Sequence, residues 1–156
     1  FNFADALLGI LAQRLAKRLC SCKEAYSPAG PELTAFVSEY AEELRNTDAW
    51  QENPQNEAKK LYQHWVETYG ENGRLTFYKP IGCSNCGKTG YKGRLGLHEL
   101  MLADEPTKKL IQERARVVKI FTTAVSSGMH TLKMDGMIKV LLGLTDMKQV
   151  RAVCIK

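Results

Sequence analysis

The chain has 156 residues, of which a quarter are charged and 44% are apolar, and its formal net charge is +5. This composition is typical of a folded globular domain and excludes a disordered polyelectrolyte. The longest apolar run, Ala6 to Ala12, is far shorter than the about 20 residues of a membrane-spanning helix, and no signal-peptide pattern precedes it. Because the chain starts with Phe1 inside an apolar pattern, we expect it to be cut from a longer protein.

Charge is distributed unevenly along the sequence. Residues 1–23 carry a net charge of +3, residues 24–73 carry −7 and residues 74–156 carry +9. An acidic middle between two basic ends indicates an insertion with a solvated face of its own. The basic ends suit phosphate, an acidic lipid or an acidic protein, although such an excess is more often only a solubilising surface.

Helical spacing dominates the first half of the sequence. Leucines from Leu7 to Leu19 recur at helical intervals, so we predict a first helix that is capped by Asn2 and ends near Leu19. Pro31 and Pro54 each open a further predicted helix, and Gly70 ends the second of these. The residues between them, 46–53, are predicted to form a connection.

The second half mixes strands, turns and short helices. Short strands are predicted at 75–79 and 95–102, on either side of a glycine-dense turn region. Short helices are predicted after Asp104, the last of them capped by Thr145. Their apolar positions predict one small terminal core, made of Met134, Met137, Ile138, Leu141 and Val150.

Four of the five cysteines form two close pairs. Cys83 and Cys86 have the C-x-x-C spacing of a zinc knuckle with glycine behind it, and Cys20 and Cys22 form a tighter C-x-C pair. An odd cysteine count without a secretory signal argues against a disulfide framework. We therefore predict one structural zinc bound by Cys20, Cys22, Cys83 and Cys86. The alternative is a degenerate site of reduced thiols, and Cys154 is expected to be a core residue.

Residues 82–89 carry the letters of a phosphate loop, from Gly82 to Gly87-Lys88-Thr89. A cysteine pair occupies the positions between the glycines, and no helix pattern follows directly to offer an anion-binding N-terminus. We interpret this stretch as a cysteine turn rather than a nucleotide site. No catalytic residues are predicted anywhere in the chain.

Three blocks of the sequence resemble the ATPase family of type II secretion and type IV pilus assembly. The blocks are residues 1–20, with the Gln13-Arg14 pair; residues 83–100, which read C-x-x-C-x-x-T-G-Y-x-G-R-x-G-x-x-E-L; and residues 128–145, which read G-M-x-T-L-x-x-D-G-x-x-K-V-L-x-G-x-T. They stand in the family's order. Three departures are the C-x-C pair, the long acidic segment, and Lys148 and Gln149 where relatives commonly carry glutamates.

The resemblance implies four regions in the chain. Residues 1–23 would hold the closing helix of the ATPase core and the first cysteine pair, and 24–77 would be an acidic helical insertion. Residues 78–103 would form the cysteine knuckle and β unit, and 104–156 a C-terminal helical subdomain. The implied fold is α+β and predominantly helical, with a small zinc-centred β unit between helical segments and without the RecA-like nucleotide-binding core.

As function, the resemblance implies the C-terminal fragment of a cytoplasmic, homohexameric motor ATPase, held at the inner membrane by a platform protein. The fragment would not hydrolyse ATP alone, because ATP and Mg²⁺ would bind only in the intact parent. Arg14 would lie near nucleotide or a neighbouring protomer. We expect neither membrane insertion nor nucleic-acid binding.

Two alternative functions come from the cysteine pairs themselves. One is a free-standing zinc module that binds nucleic acid, which the basic ends favour but the lack of a recognition helix beside the knuckle does not. The other is a chaperone-type zinc domain, which would need four cysteine repeats where this chain has one. Salt-dependent DNA or RNA binding and client protection would be their respective tests.

Overall fold

The computed structural model describes residues 3–154, which fold into an α+β structure, as predicted. The structure has four strands: β1 (Gly9–Leu19), β2 (Glu24–Tyr26), β3 (Phe77–Lys79) and β4 (Tyr91–Leu102). They form two antiparallel pairs, β1 with β4 and β2 with β3, in residues 3–154. The helices in these residues are α1 (Phe3–Ala6), α2 (Gly30–Ala41), α3 (Asp48–Glu52), α4 (Pro54–Tyr69), α5 (Glu105–Gln112), α6 (Val117–Ser126), α7 (Leu132–Leu141) and α8 (Met147–Val153). Within 3–154, none of them is long and apolar enough to cross a membrane.

The long first helix predicted to reach Leu19 is wrong. After the single turn of α1, the chain extends into strand β1, which pairs with β4 from Gly9 opposite Leu102 to Leu19 opposite Tyr91. The predicted cap, Asn2, lies outside the described residues. The leucine spacing suits a helix, but pairing with a strand about eighty residues later decides the local structure, because strand preference depends on tertiary partners.

The other elements agree more closely with the predictions. Helix α4 starts after Asn53, whose side chain accepts a hydrogen bond from the Asn56 N–H, and it ends at Gly70 as predicted. The predicted connection at 46–53 contains the short helix α3. Asp146, not Thr145, caps α8, because the Thr145 hydroxyl donates instead to the carbonyl oxygen of Lys17 at 2.8 Å.

One hydrophobic core joins the acidic segment to the C-terminal helices. Phe36, Tyr40 and Trp65 from α2 and α4 belong to the same buried cluster as four of the five predicted core residues, Met134, Met137, Leu141 and Val150. The fifth predicted core residue, Ile138, is half-buried. Glu39 of α2 forms ion pairs with Lys133 of α7 at 3.0 Å and Arg151 of α8 at 2.8 Å across this contact.

The β1–β4 ribbon packs one face on the C-terminal helices. Ala16 and its neighbours Leu95 and Leu97 are buried there, while Leu11 and Leu100, which pair with each other on the opposite face, are exposed. The last residue of β1 contacts the connection between α7 and α8, because the Leu19 N–H donates to the Leu144 carbonyl oxygen at 3.0 Å. The cysteines that follow β1 are therefore held next to this connection.

Candidate metal centre

The four paired cysteines meet at one point, although about sixty residues separate the two pairs. Cys20 follows β1 directly, and Cys22 lies in the turn before β2. Between β3 and β4, Cys83 precedes a single helical turn whose last residue is Cys86. Their sulfur atoms all lie within 4.8 Å of one another. Cys20 and Cys86 are buried, whereas Cys22 and Cys83 are half-buried, so the cluster sits just beneath the surface.

The sulfur spacing fits a tetrahedral metal site. The Cys20–Cys83 and Cys83–Cys86 sulfur distances are both 3.7 Å, and the Cys22–Cys86 distance is 4.0 Å. Four sulfurs at the usual zinc–sulfur distance of about 2.3 Å stand about 3.8 Å apart in a regular tetrahedron. A disulfide would bring two sulfurs to about 2.05 Å, so these are free thiols. The cysteines can therefore hold one metal ion.

Backbone amides of the knuckle point at the sulfurs. The N–H groups of Cys83 and Gly90 donate to the Cys86 sulfur, each at 3.2 Å, and the Gly82 N–H donates to the Cys22 sulfur at 3.4 Å. Such donors stabilise negative charge on the sulfurs and orient them toward a common centre.

The pKa values of two thiols follow from this arrangement. Burial raises the pKa of Cys86, but the two amide donors and the neighbouring thiols outweigh it and lower that pKa to about 6. The Gly82 N–H lowers the pKa of Cys22, but burial and the three neighbouring thiols outweigh it and raise that pKa to about 11. The amide donors thus favour the ionised form of Cys86, which is the form in which a cysteine binds a metal.

Two glycines make this knuckle possible. Gly90 has a φ of +86°, and a Cβ there would lie 2.4 Å from the Pro80 Cβ. Gly82 has a φ of +105°, and a Cβ there would lie 2.7 Å from the Lys88 carbonyl oxygen. Both positions need the left-handed backbone that glycine adopts without strain, and both leave no room for a side chain.

The phosphate-loop letters belong to this cysteine turn. The chain continues from Thr89 through Gly90 into strand β4, so a strand and not a helix follows Gly87-Lys88-Thr89, in line with the sequence pattern. The Thr89 hydroxyl donates to the Cys86 carbonyl oxygen at 2.7 Å, and the Gly90 amide donates to the Cys86 sulfur.

The fold also accommodates the tight C-x-C spacing of Cys20 and Cys22. The Lys23 N–H donates to the Cys20 carbonyl oxygen and closes a turn, which brings both sulfurs to the same side as those of the other pair.

Contacts distant in sequence attach the centre to the C-terminal helices. Lys23, next to Cys22, donates to the Gly143 carbonyl oxygen and lies 4.4 Å from the centre of the Tyr78 ring. Tyr91 donates its hydroxyl to Asp146, the cap of α8. No motif spacing could have revealed these contacts, because their partners lie up to 120 residues apart.

The remaining candidate residues lie away from the cysteine cluster. Arg14 is exposed on β1, where it lines an open cavity of about 530 Å³ rather than the metal centre. Cys154 also lines that cavity, and it is half-buried against both hydrophobic clusters, in partial agreement with its predicted core role. The metal-ligand set of the described residues includes none of the histidines.

Comparison with known proteins gives a consistent picture. The sequence profile of the family described as "Type II/IV secretion system protein" matches residues 1–152. The chain is 34% identical over its full length to "Type IV pilus assembly ATPase PilB" of Thermus thermophilus. It is 31% and 29% identical, over 98% of its length, to "Type IV pilus assembly ATPase TfpB" of Acinetobacter baylyi and "Type II secretion system ATPase E" of Vibrio cholerae.

The chain spans only 14%, 21% and 24% of the lengths of these three relatives. The profile match nevertheless covers the ribbon, the cysteine cluster and the C-terminal helices together. The chain therefore belongs to the Type II/IV secretion system protein family.

Proposed function

We propose that this chain is the C-terminal region of a longer motor ATPase that drives type IV pilus assembly or type II secretion. The observation that carries the proposal is a family match over nearly the whole chain to relatives that are named as ATPases and are four to seven times longer. The order of the three sequence blocks supports a C-terminal position. Its role within such a motor is structural.

Zinc is the metal we propose for the cysteine cluster. Four thiolates at tetrahedral spacing are the usual set for a closed structural zinc site, which leaves no open position for a reacting water. Cys20, Cys22, Cys83 and Cys86 would hold the ion. Bound there, zinc would cross-link the end of β1 to the start of β4 and so keep the ribbon aligned with the C-terminal helices.

The chemistry of the motor is proposed to lie elsewhere in the longer protein. In the one stretch with phosphate-loop letters, the amides of Cys83 and Gly90 donate to the Cys86 sulfur and a strand follows, so ATP and Mg²⁺ would bind outside this chain. The assembled motor would be a cytoplasmic homohexamer beneath a platform protein of the inner membrane. The C-terminal region would transmit force or position a partner rather than hydrolyse ATP.

The test compares this chain with the longer protein from which it comes. ATP turnover is expected only in the longer protein, and turnover by the isolated chain would contradict the proposal. Cys83→Ser in the longer protein is expected to reduce pilus assembly or secretion, because it removes one of four ligands. Cys154→Ser, which leaves the cluster intact, is the matched control. Normal assembly with Cys83→Ser would refute a structural role for the metal centre.

A further inference from the structure

The connection between α7 and α8 is held by the segments that carry the cysteine ligands. Four consecutive residues of this connection, 143–146, each form a hydrogen bond with one of those segments. The partner residues lie one to five positions along the chain from Cys20, Cys22 or Cys86. The bonded pairs are Gly143 with Lys23, Leu144 with Leu19, Thr145 with Lys17 and Asp146 with Tyr91. The cysteine centre and the connection therefore share one continuous interface.

Two of these contacts tie the connection to the end of β1. The Leu19 N–H donates to the Leu144 carbonyl oxygen at 3.0 Å, and the Thr145 hydroxyl donates to the Lys17 carbonyl oxygen at 2.8 Å. The Thr145 side chain thus takes the part of a backbone donor. Because Thr145 is fully buried and its hydroxyl is satisfied by this bond, its position depends on where β1 ends.

The ligand segments are also bonded to each other beside the sulfurs. The Cys20 N–H donates to the Gly90 carbonyl oxygen at 2.9 Å, and the Gly90 N–H donates to the Cys86 sulfur at 3.2 Å. Cys20 is buried and directly follows Leu19, whose N–H is bonded to the connection. Since hydrogen bonds weaken steeply when they are bent or stretched, a displacement of the Cys20 sulfur is transmitted to the connection, and the reverse.

We propose that the cysteine centre and residues 143–146 form one coupled unit, in which metal binding fixes the connection and the connection in turn holds the ligands in place. Tyr91 and Thr145 are then positioning residues for the metal, although neither belongs to the ligand set. Metal loading also sets the start of α8, because Asp146, which accepts from Tyr91, is the cap of that helix. This inference rests on the metal proposed above for the cysteines and adds control from outside the ligand set.

Coupling of this kind acts in both directions. If metal binding favours the observed connection, a substitution that loosens the connection must weaken metal binding by the same free energy. Linked sites typically change each other's affinity by about 5- to 150-fold. A residue that only stabilises the fold predicts a different result, because its loss leaves the metal affinity unchanged as long as the chain remains folded.

A chelator titration of the zinc-loaded chain tests this expectation. A chromogenic chelator competes for the zinc, and the absorbance of its complex reports how much zinc is released. We expect Thr145→Val, which removes the hydroxyl and keeps the shape of the side chain, to weaken zinc binding at least about fivefold. Tyr91→Phe removes only the hydroxyl that reaches Asp146, and it should weaken zinc binding as well. Because Tyr91 is only half-buried, this second variant tests the coupling even if Thr145→Val fails to fold.

Two control variants separate coupling from general stability. Thr145→Ser keeps the hydroxyl and is expected to keep most of the zinc affinity. Thr107→Val makes the same chemical change at another fully buried threonine, which lies in α5, and it is expected to leave zinc binding unchanged. Thermal melting establishes that each variant is folded at the temperature of the titration.

The outcomes distinguish this inference from the proposed metal centre. If the wild type binds no metal, both are wrong. If the wild type binds zinc and Thr145→Val and Tyr91→Phe bind it equally tightly, the metal centre stands and the coupling is refuted. Equal weakening by Thr107→Val or by Thr145→Ser would also refute the coupling, because zinc affinity would then follow general packing rather than the hydroxyl contact with β1.

Discussion

Loss of one cysteine ligand should destabilise the whole chain. Cys20 and Cys83 lie 63 residues apart, and a cross-link that closes a loop of that length restricts the unfolded chain by about 4 kcal/mol. If the native state loses its metal, it loses both this loop-closure stabilisation and the free energy of metal binding itself. Since domains of this size are stable by only about 5–15 kcal/mol, Cys83→Ser should lose much of the total.

Two measurements check this expectation. Elemental analysis of protein purified without chelator should find about one zinc per chain in the wild type and in Cys154→Ser, and none in Cys83→Ser. Urea unfolding under reducing conditions should show the free energy of unfolding reduced by at least about 4 kcal/mol, both in Cys83→Ser and in wild-type protein treated with a strong chelator. Cys154→Ser controls for the general effect of replacing a cysteine, because Cys154 lies outside the cluster.

A metal-free preparation that unfolds at the same urea concentration with and without added zinc would refute the reasoning. The cysteines would then be neighbours through folding alone. A chelator effect that is equally large in Cys83→Ser would point the same way, since that variant has no complete site to empty.

Three further predictions concern packing and ion pairs. Met137→Ala removes a fully buried side chain and should cost about 2–5 kcal/mol in urea unfolding, whereas Leu102→Ala, at an exposed position, should cost under about 0.5 kcal/mol; similar losses would mean that the core is wrongly assigned. Gly136→Ala places a Cβ 2.8 Å from Val150, so it should destabilise despite the about 1 kcal/mol that alanine contributes to a helix, and stabilisation would show that α8 can shift. Burial raises the pKa of Glu39, but its two cationic partners outweigh this and hold it below the ordinary value. Its stabilisation should therefore be present at neutral pH and lost as the pH falls below about 4.3; a Glu39→Gln variant whose stability deficit persists at low pH would contradict this.

Several features could be read from the sequence because they depend on neighbouring residues. Local spacing predicts the knuckle at Cys83 and Cys86, the start of α4 at Pro54 and its stop at Gly70. It predicts the start of α2 to within one residue, at Pro31 instead of Gly30. The buried face of α7 follows from helical periodicity in the same way. Backbone geometry over a few residues decides each of these features, so a single sequence is sufficient to locate them.

The features that the sequence could not decide depend on partners far along the chain. The stretch from Gly9 to Leu19 has the spacing of a helix and becomes a strand only because β4 is available to pair with it. The acidic segment shares a core with the C-terminal helices through Phe36 and Trp65, although its composition indicated a solvated insertion. Arg14 lines a cavity whose walls come from six separate parts of the chain. Tertiary packing decides such features, because the free energy of burying a surface depends on what covers it, and local sequence does not contain that information.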